Sequence, residues 1–289
     1  MIGIYEYLLL MFLISILAGL IGSLVGVGGG ILVVPAMTLL FGVPIQYAAG
    51  ASIVSVIATS SGSATAYVRD RITNLRIGMF LEIGSASGAI VGAVSTFFLV
   101  KSGYSWILFI AFGLILFFSA YTTAERTRKE NRGVVERYNL KPNKIATRLQ
   151  LSGEFDDKVL KAKVPYVADS VPAGFAVMAC AGLMAGLLGV GGGVLKVLGM
   201  DTFMKLPFKV STTTSNFMIG VTAAASTAIF YIGGYINPIL AAPVAVGVLV
   251  GSFFGAKVLV RTKTVTLRWV FVIALVLIGA EMIYQGVSL

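Results

Sequence analysis

The sequence predicts an all-α polytopic membrane protein. Two inverted-topology repeats, each a glycine-broken helix hairpin plus three transmembrane helices, flank a small, partly β cytosolic linker. Three observations predict this. Apolar stretches recur through a chain that is 57% hydrophobic and 12% charged. The motif GVGGG occurs twice, at 26–30 and 189–193, each time inside an apolar run. The basic residues gather between the apolar runs. The expected organisation is a first membrane repeat over 1–122, a cytosolic linker over 123–171 and a second membrane repeat over 172–289.

The apolar stretches lie near 7–25, 31–41, 44–68, 77–100, 104–122, 172–188, 194–204, 207–232, 239–260 and 269–287. Several reach the ~20 residues that cross a hydrocarbon core of about 30 Å. None shows the alternating polarity of a β-barrel strand. The opening MIGIYEYLLLMFLISILAGLIG carries no basic n-region and is expected to stay as a membrane segment. Cys180 is the single cysteine, so no intramolecular disulfide forms, and it is expected as a small buried hydrophobe. The net charge of +10 does not indicate nucleic acid. Of 22 Lys and Arg, 11 fall in 123–171, three in 69–76 (Arg69, Arg71, Arg76) and four in 257–268 (Lys257, Arg261, Lys263, Arg268). That is the pattern of cytoplasmic loops.

Residues 18–93 align with 181–256 at an offset of 163 without a gap, with 21 of 76 positions identical. Pro44 meets Pro207, Ser52 meets Ser215, Thr59 meets Thr222, Ser63 meets Ser226 and Asn74 meets Asn237. Gly84, Gly88 and Gly92 meet Gly247, Gly251 and Gly255. With the basic loops inside, equivalent loops face opposite sides: 69–76 is basic and 233–237 is uncharged, while Lys205 and Lys209 flank Pro207 and no cation flanks Pro44. Such inversion is typical of transporter repeats. It puts both termini outside and turns 7–41 and 172–204 into hairpins whose return legs, about 17 Å long at ~1.5 Å per residue, stop within the membrane.

At each tip a helix begins, near Ile31 and Val194, with unpaired N–H groups and a positive dipole end. Gly28, Gly29 and Gly30, and Gly191, Gly192 and Gly193, let an anion approach that backbone. No Lys-Ser/Thr follows, so a nucleotide-binding loop is excluded. The four-residue glycine ridges on 84–92 and 247–255 are expected to pack helices, and they leave room for a homodimer. Ser52, Ser55, Thr59 and Ser63 share one helical face, as do Ser211, Ser215, Thr222 and Ser226. With Thr214 and Asn216 they supply donors to an oxyanion; the alternative is back-bonding within the helix. Lys196 needs a partner at this depth, either the substrate or Asp201. Glu82, Asp201 and Glu281 are the candidates for a coupling proton, since the chain has no histidine. In the linker, ERTRKENR continues a helix, and two alternating stretches around Ser152–Gly153 suggest a β-hairpin in what is otherwise a connector.

At GLIGSLVGVGGGILVVPAM with AAGASIVSV, and at GLMAGLLGVGGGVLKVLGM with STTTSNFMIG, the chain resembles the TauE/SafE, sulfite-exporter-like family, as does the linker phrase LSGEFDDKVLKAKVPYVADSVPAGF. One departure is Leu198, where Pro35 stands in the first copy. The resemblance implies efflux of a small sulfur-containing anion such as sulfite, thiosulfate or an organosulfonate across the cytoplasmic membrane. No cofactor, metal site or catalytic set is expected. The rivals are a passive anion channel, a transporter of another small organic anion, an intramembrane enzyme, and a receptor or scaffold acting through 123–171.

Overall fold

The computed structural model describes residues 4–25, 28–69, 72–131, 144–157, 162–261 and 265–288. Gly26 of the first motif, Arg71 and Lys263 lie outside the described residues, as does the side chain of Ser63. The first half comprises α1 (Ile4–Val25), a short α2 (Gly30–Pro35) running into a π-helical turn (Ala36–Leu40), α3 (Ile45–Arg69), α4 (Leu75–Lys101) and α5 (Ser105–Asn131). The linker holds α6 (Lys144–Arg148) and strands β1 (Ser152–Asp157) and β2 (Ala162–Val167). The second half repeats the first in the same order: α7 (Val171–Leu188), α8 (Gly193–Leu198) with a π-helical turn (Gly199–Phe203), α9 (Phe208–Ile232), α10 (Pro238–Arg261) and α11 (Val265–Ser288). The chain is an all-α polytopic membrane protein. Among the described residues, six helices are long and apolar enough to span a bilayer.

Local chemistry sets the boundaries. The Asn74 side chain accepts a hydrogen bond from Ile77 N and caps α4, and Asn237 does the same for Ile239 N at the start of α10. Leu198 does not alter the second hairpin. Its backbone angles (φ −59°, ψ −46°) match those of Pro35 (−60°, −41°), and the π-helical turn begins at the next residue in both copies. The missing proline ring therefore changes no conformation.

The principal helix contacts cross between the halves: α1 packs on α10 and α7 on α4, α3 on α10 and α9 on α4, while α3 meets α9 and α5 meets α11. The glycine ridges make the first two close. A Cβ on Gly88 or Gly92 would strike the carbonyl oxygen of Ala179 or Leu183 on α7; a Cβ on Gly247 or Gly251 would strike that of Phe12 or Ile16 on α1. The contacts of Gly88 with Ala179 and of Gly251 with Ile16 are related by the same 163-residue offset, as are those of Gly92 with Leu183 and of Gly255 with Leu20. The ridges are therefore consumed inside the chain, which removes the basis for a homodimer built on them. Cys180 also departs from expectation: it is exposed on α7, whose opposite side packs on α4. A small thiol is apolar enough for a lipid-facing helix surface.

The linker is more than a connector. β1 and β2 pair antiparallel from Ser152↔Val167 to Asp157↔Ala162. Leu151, Phe155 and Tyr166 are buried in one cluster with Ile77 and Leu81 of α4, Met178 of α7, Met200 and Met204 at the base of the second hairpin, and Val210 of α9. Asn74 Nδ2 donates to the Tyr166 hydroxyl at 3.0 Å, and Asp169 N donates to the Met204 carbonyl at 3.0 Å. α5 continues to Asn131, so ERTRKE is helical.

Two predictions follow from this packing. Gly92→Val forces a side chain into the Leu183 backbone, which cannot yield as a flexible side chain does; the loss should be at least the roughly 1–3 kcal/mol typical of overpacking. Thermal unfolding in detergent should show a clearly lowered Tm, and an unchanged Tm contradicts the contact. Burial raises the Tyr166 phenol above its usual 10.0, against a smaller opposing effect of its hydrogen bond from Asn74. The unfolded chain ionises first, so this residue costs no stability below about pH 10 and loses stability as pH rises above it. The fall in Tm above pH 10 should be shallower in Tyr166→Phe than in the wild type.

Candidate functional site

The two glycine turns lie against the crossing of α3 and α9. Gly28 (φ +76°) and Gly191 (φ +73°) occupy equivalent positions and share the left-handed conformation that favours glycine. A Cβ on Gly28 would come within 2.7 Å of Ile219 Cδ1; one on Gly191 would lie 2.8 Å from Val56 Cγ1 and 3.1 Å from Ile219 Cβ. Val56 and Ile219 are themselves repeat equivalents, so each tip touches the other half's crossing helix. The tips also touch one another: a Cβ on Gly30 would sit 3.3 Å from Val190 Cα and 2.5 Å from Ser52 Oγ. Gly29 and Gly192 are held from behind, by Val248 of α10 and by the Ala181 carbonyl of α7. Beside the tips runs a narrow apolar crevice lined by Ile31, Ile115, Met184, Val190, Val194 and Leu195.

The hydroxyl stripes divide into two kinds. Most are satisfied locally: Ser55 Oγ donates to the Ser52 carbonyl, Thr59 Oγ1 to the Ser55 carbonyl (both 2.8 Å) and Ser226 Oγ to the Ala223 carbonyl (3.0 Å). Thr214 Oγ1 accepts from Asn74 N at 3.1 Å and joins α9 to the start of α4. Ser52 and Ser215 face the tips. Ser215 Oγ donates to the Gly193 carbonyl at 3.2 Å, while its equivalent Ser52 stands against Gly30, fully buried, its Oγ without a hydrogen-bond partner. Asn216 is fully buried too; its Nδ2 reaches the Ser23 carbonyl at 3.5 Å, and its Oδ1 has no partner. Thr212, one turn earlier on the same face of α9, and Ser211 beside it are likewise buried with unpartnered hydroxyls. Each such group costs on the order of 1–3 kcal/mol when left dry, so their concentration around one end of α9 and the first tip is not a packing requirement.

Lys196 is fully buried, and the partner the structure gives it is Glu82 of α4, with Nζ 3.4 Å from Oε2. Lys196 Nζ also donates to Thr222 Oγ1, which in turn reaches Glu82 Oε1 and lies 3.0 Å from Ser85 Oγ. The sequence set Lys196 and Glu82 apart, 114 residues distant, and offered Asp201 as the protein partner. No local pattern links them; the signal that was available is that both are ionisable groups within apolar helices. Asp201 lies on the π-helical turn, partly exposed, and Glu281 is exposed on α11. The site thus brings ten of the expected residues together around the tips and α9 and joins the expected Glu82 to Lys196 through Thr222, with Ser85 as the residue not foreseen; Thr59 and Thr214 are satisfied elsewhere, and Asp201 and Glu281 lie outside it. Among the described residues no group of three His, Cys, Asp or Glu is placed to hold a metal ion.

Comparison with known proteins agrees with this architecture. The family described as Sulfite exporter TauE/SafE matches residues 11–282. The probable membrane transporter protein YunE of Bacillus subtilis (strain 168) is 30% identical over 285 residues, covering 95% of this chain and 96% of its own. The probable membrane transporter protein YdhB of the same organism is 27% identical, over 86% of this chain and 88% of its own. A third similar protein, the probable membrane transporter protein MJ0441 of Methanocaldococcus jannaschii, is 25% identical over 88% of each chain. No solved structure matches the chain. The chain belongs to the TauE/SafE family of membrane transporters.

The two kinds of hydroxyl predict opposite stability effects. Ser52→Ala removes a polar atom that has no partner and should leave Tm unchanged or slightly raised. Thr222→Val removes a partner of both Lys196 and Glu82 and should lower stability by about 1–3 kcal/mol. Thermal unfolding of the two variants in one detergent checks the contrast.

Proposed function

We propose that this member of the TauE/SafE family is a secondary transporter that exports a small sulfur-containing anion, such as sulfite, thiosulfate or an organosulfonate, across the cytoplasmic membrane. It works as a carrier without an enzymatic step. The anion sits where the two tips meet. The observation that carries this reading is Ser52: a fully buried hydroxyl with no partner, against the start of a broken helix. Asn216 adds an amide that can turn its N–H groups toward an oxyanion, since rotation about its last bond exchanges O and N. The backbone N–H groups that open α2 and α8 lack partners within their helices and supply further donors.

Access alternates through movement of the two halves. The tips abut through Gly30 and Val190, so an anion reaches Ser52 only when they part. Several contacts support an inverted relation between the halves: Tyr47 of α3 faces Tyr235 just beyond α9, Val56 lies by Ile219, and Ser60 Oγ donates to the Phe217 carbonyl. Equivalent helices α3 and α9 thus run in opposite senses, as two repeats related by an axis in the membrane plane do. With the basic linker 123–171 in the cytoplasm, both termini lie outside, and the docked β-hairpin covers the base of the second hairpin on the cytoplasmic side.

Counterflow in proteoliposomes tests this function. Unlabelled sulfite, thiosulfate or isethionate inside should accelerate entry of the same labelled anion. Flux without such trans-stimulation indicates a passive channel, and no flux of any of the three contradicts the reading. Ser52→Ala should slow counterflow roughly tenfold or more, the effect of losing one hydrogen bond to a charged group, while its Tm holds.

A further inference from the structure

The Lys196–Glu82 pair has no counterpart at the first tip. The positions equivalent to Lys196, Glu82 and Ser85 are Val33, Ala245 and Val248, and only the threonine recurs, as Thr59. Packing therefore does not demand charge here, since the same geometry is built from apolar residues one repeat away. Two full charges are nevertheless held in side chains 0% and 8% exposed, one of them on the return leg of the tip itself. Thr222, which both members of the pair contact, lies one helical turn along α9 from Ile219, which both tips touch. Among the described residues, Glu82 and Thr222 engage two of the three ammonium N–H bonds, leaving the third for a ligand.

An anion arriving at the tips alters this balance. The empty pair is neutral, and an added negative charge leaves the buried site with one charge too many, a state that membrane-embedded groups avoid by neutralising. Other charged or titratable groups on the surrounding elements are peripheral: Asp201 beyond α8 and Lys209 at the start of α9 are partly exposed, Arg76 on α4 is exposed and bonded to Gln150, and Cys180 on α7 is exposed. Among the described residues of the cluster, the Glu82 carboxylate is the one group that can restore neutrality, by accepting a proton. Thr222 and Ser85 then remain to receive a neutral carboxyl group.

We propose that Glu82 is the proton carrier of this transporter: the anion replaces the Glu82 carboxylate as counter-ion of Lys196, and Glu82 binds one proton from the side to which the site is open. Anion and proton cross together and leave together, after which the Lys196–Glu82 pair re-forms. No bond other than Glu82 O–H is made or broken. The second tip is therefore the proton-linked one, and the first tip, with Val33, is not. This rests on the anion site proposed above.

The test uses full-length protein in liposomes, with whichever of sulfite, thiosulfate and isethionate the wild type counterflows. An imposed proton gradient should drive that anion at least tenfold above its equilibrium level, and a pH-sensitive dye inside should report proton entry with it. Whatever anion flux Glu82→Gln keeps should carry less than a tenth of the wild type's protons per anion and should not respond to the imposed gradient, and Glu82→Asp should keep both effects in part. Anion movement by the wild type with no proton movement overturns this inference and leaves the transport reading intact. Proton-driven accumulation persisting in Glu82→Gln also overturns it. Absence of any anion flux overturns both readings. Should Glu82→Gln fail to fold, the wild-type proton measurement decides alone.

Discussion

The architecture depends on one constraint: backbone that leaves the helical path at membrane depth must be buried by other protein or line a wet cavity. Two turns do so here, and each is enclosed by the same device. The crossing of α3 and α9 presents Val56 and Ile219 to the tips, and α10 and α7 close them from behind. Glycine is required because the left-handed turn at Gly28 and Gly191 and the contact with these side chains both exclude a Cβ. The rest of the fold follows from bringing these helices together. The ridges on α4 and α10 allow α7 and α1 to lie close, and α1 and α7 are the helices that lead into the turns.

Enclosure also explains why polar atoms are concentrated where they are. The α3–α9 crossing carries hydroxyls and an amide on faces that a purely structural bundle would fill with apolar groups. Some bond back to their own helix and cost little. Ser52, Ser211, Thr212 and Asn216 do not, and the molecule bears that cost at one end of α9 and at the first tip. The two copies have diverged there. Ser211 and Thr212 replace Ala48 and Ala49, and Asn216 replaces Ile53.

Features set by short spacing were legible in the sequence. The glycine turns, the eleven-residue return legs, the helix packing of the ridges and the β-hairpin all follow from local patterns or from the repeat offset. The hydroxyl stripes were legible as faces, but their division was not, because whether Thr59 bonds backward or Ser52 stays open depends on what lies opposite. The pairing of Lys196 with Glu82 was hidden for the same reason: it joins α8 to α4 across 114 residues and across the two copies. Which side of α7 carries Cys180, and whether the ridges face a neighbour within the chain or a second copy, were not legible. A small apolar residue says nothing about which side of a membrane helix it occupies, and a smooth ridge serves an internal neighbour as well as an external one. The linker's docking was hidden as well, since Tyr166 and Asn74 meet only through the fold.

The account turns on the place where the tips meet being the seat of the anion. Anomalous diffraction from crystals grown with selenite, a heavier analogue of sulfite, locates that seat directly. A selenium peak within hydrogen-bonding reach of Ser52 Oγ, between Gly30 and Gly193, is the predicted result. A peak confined to the aqueous surfaces, with the tips still in contact and Ser52 still without a partner, would contradict it.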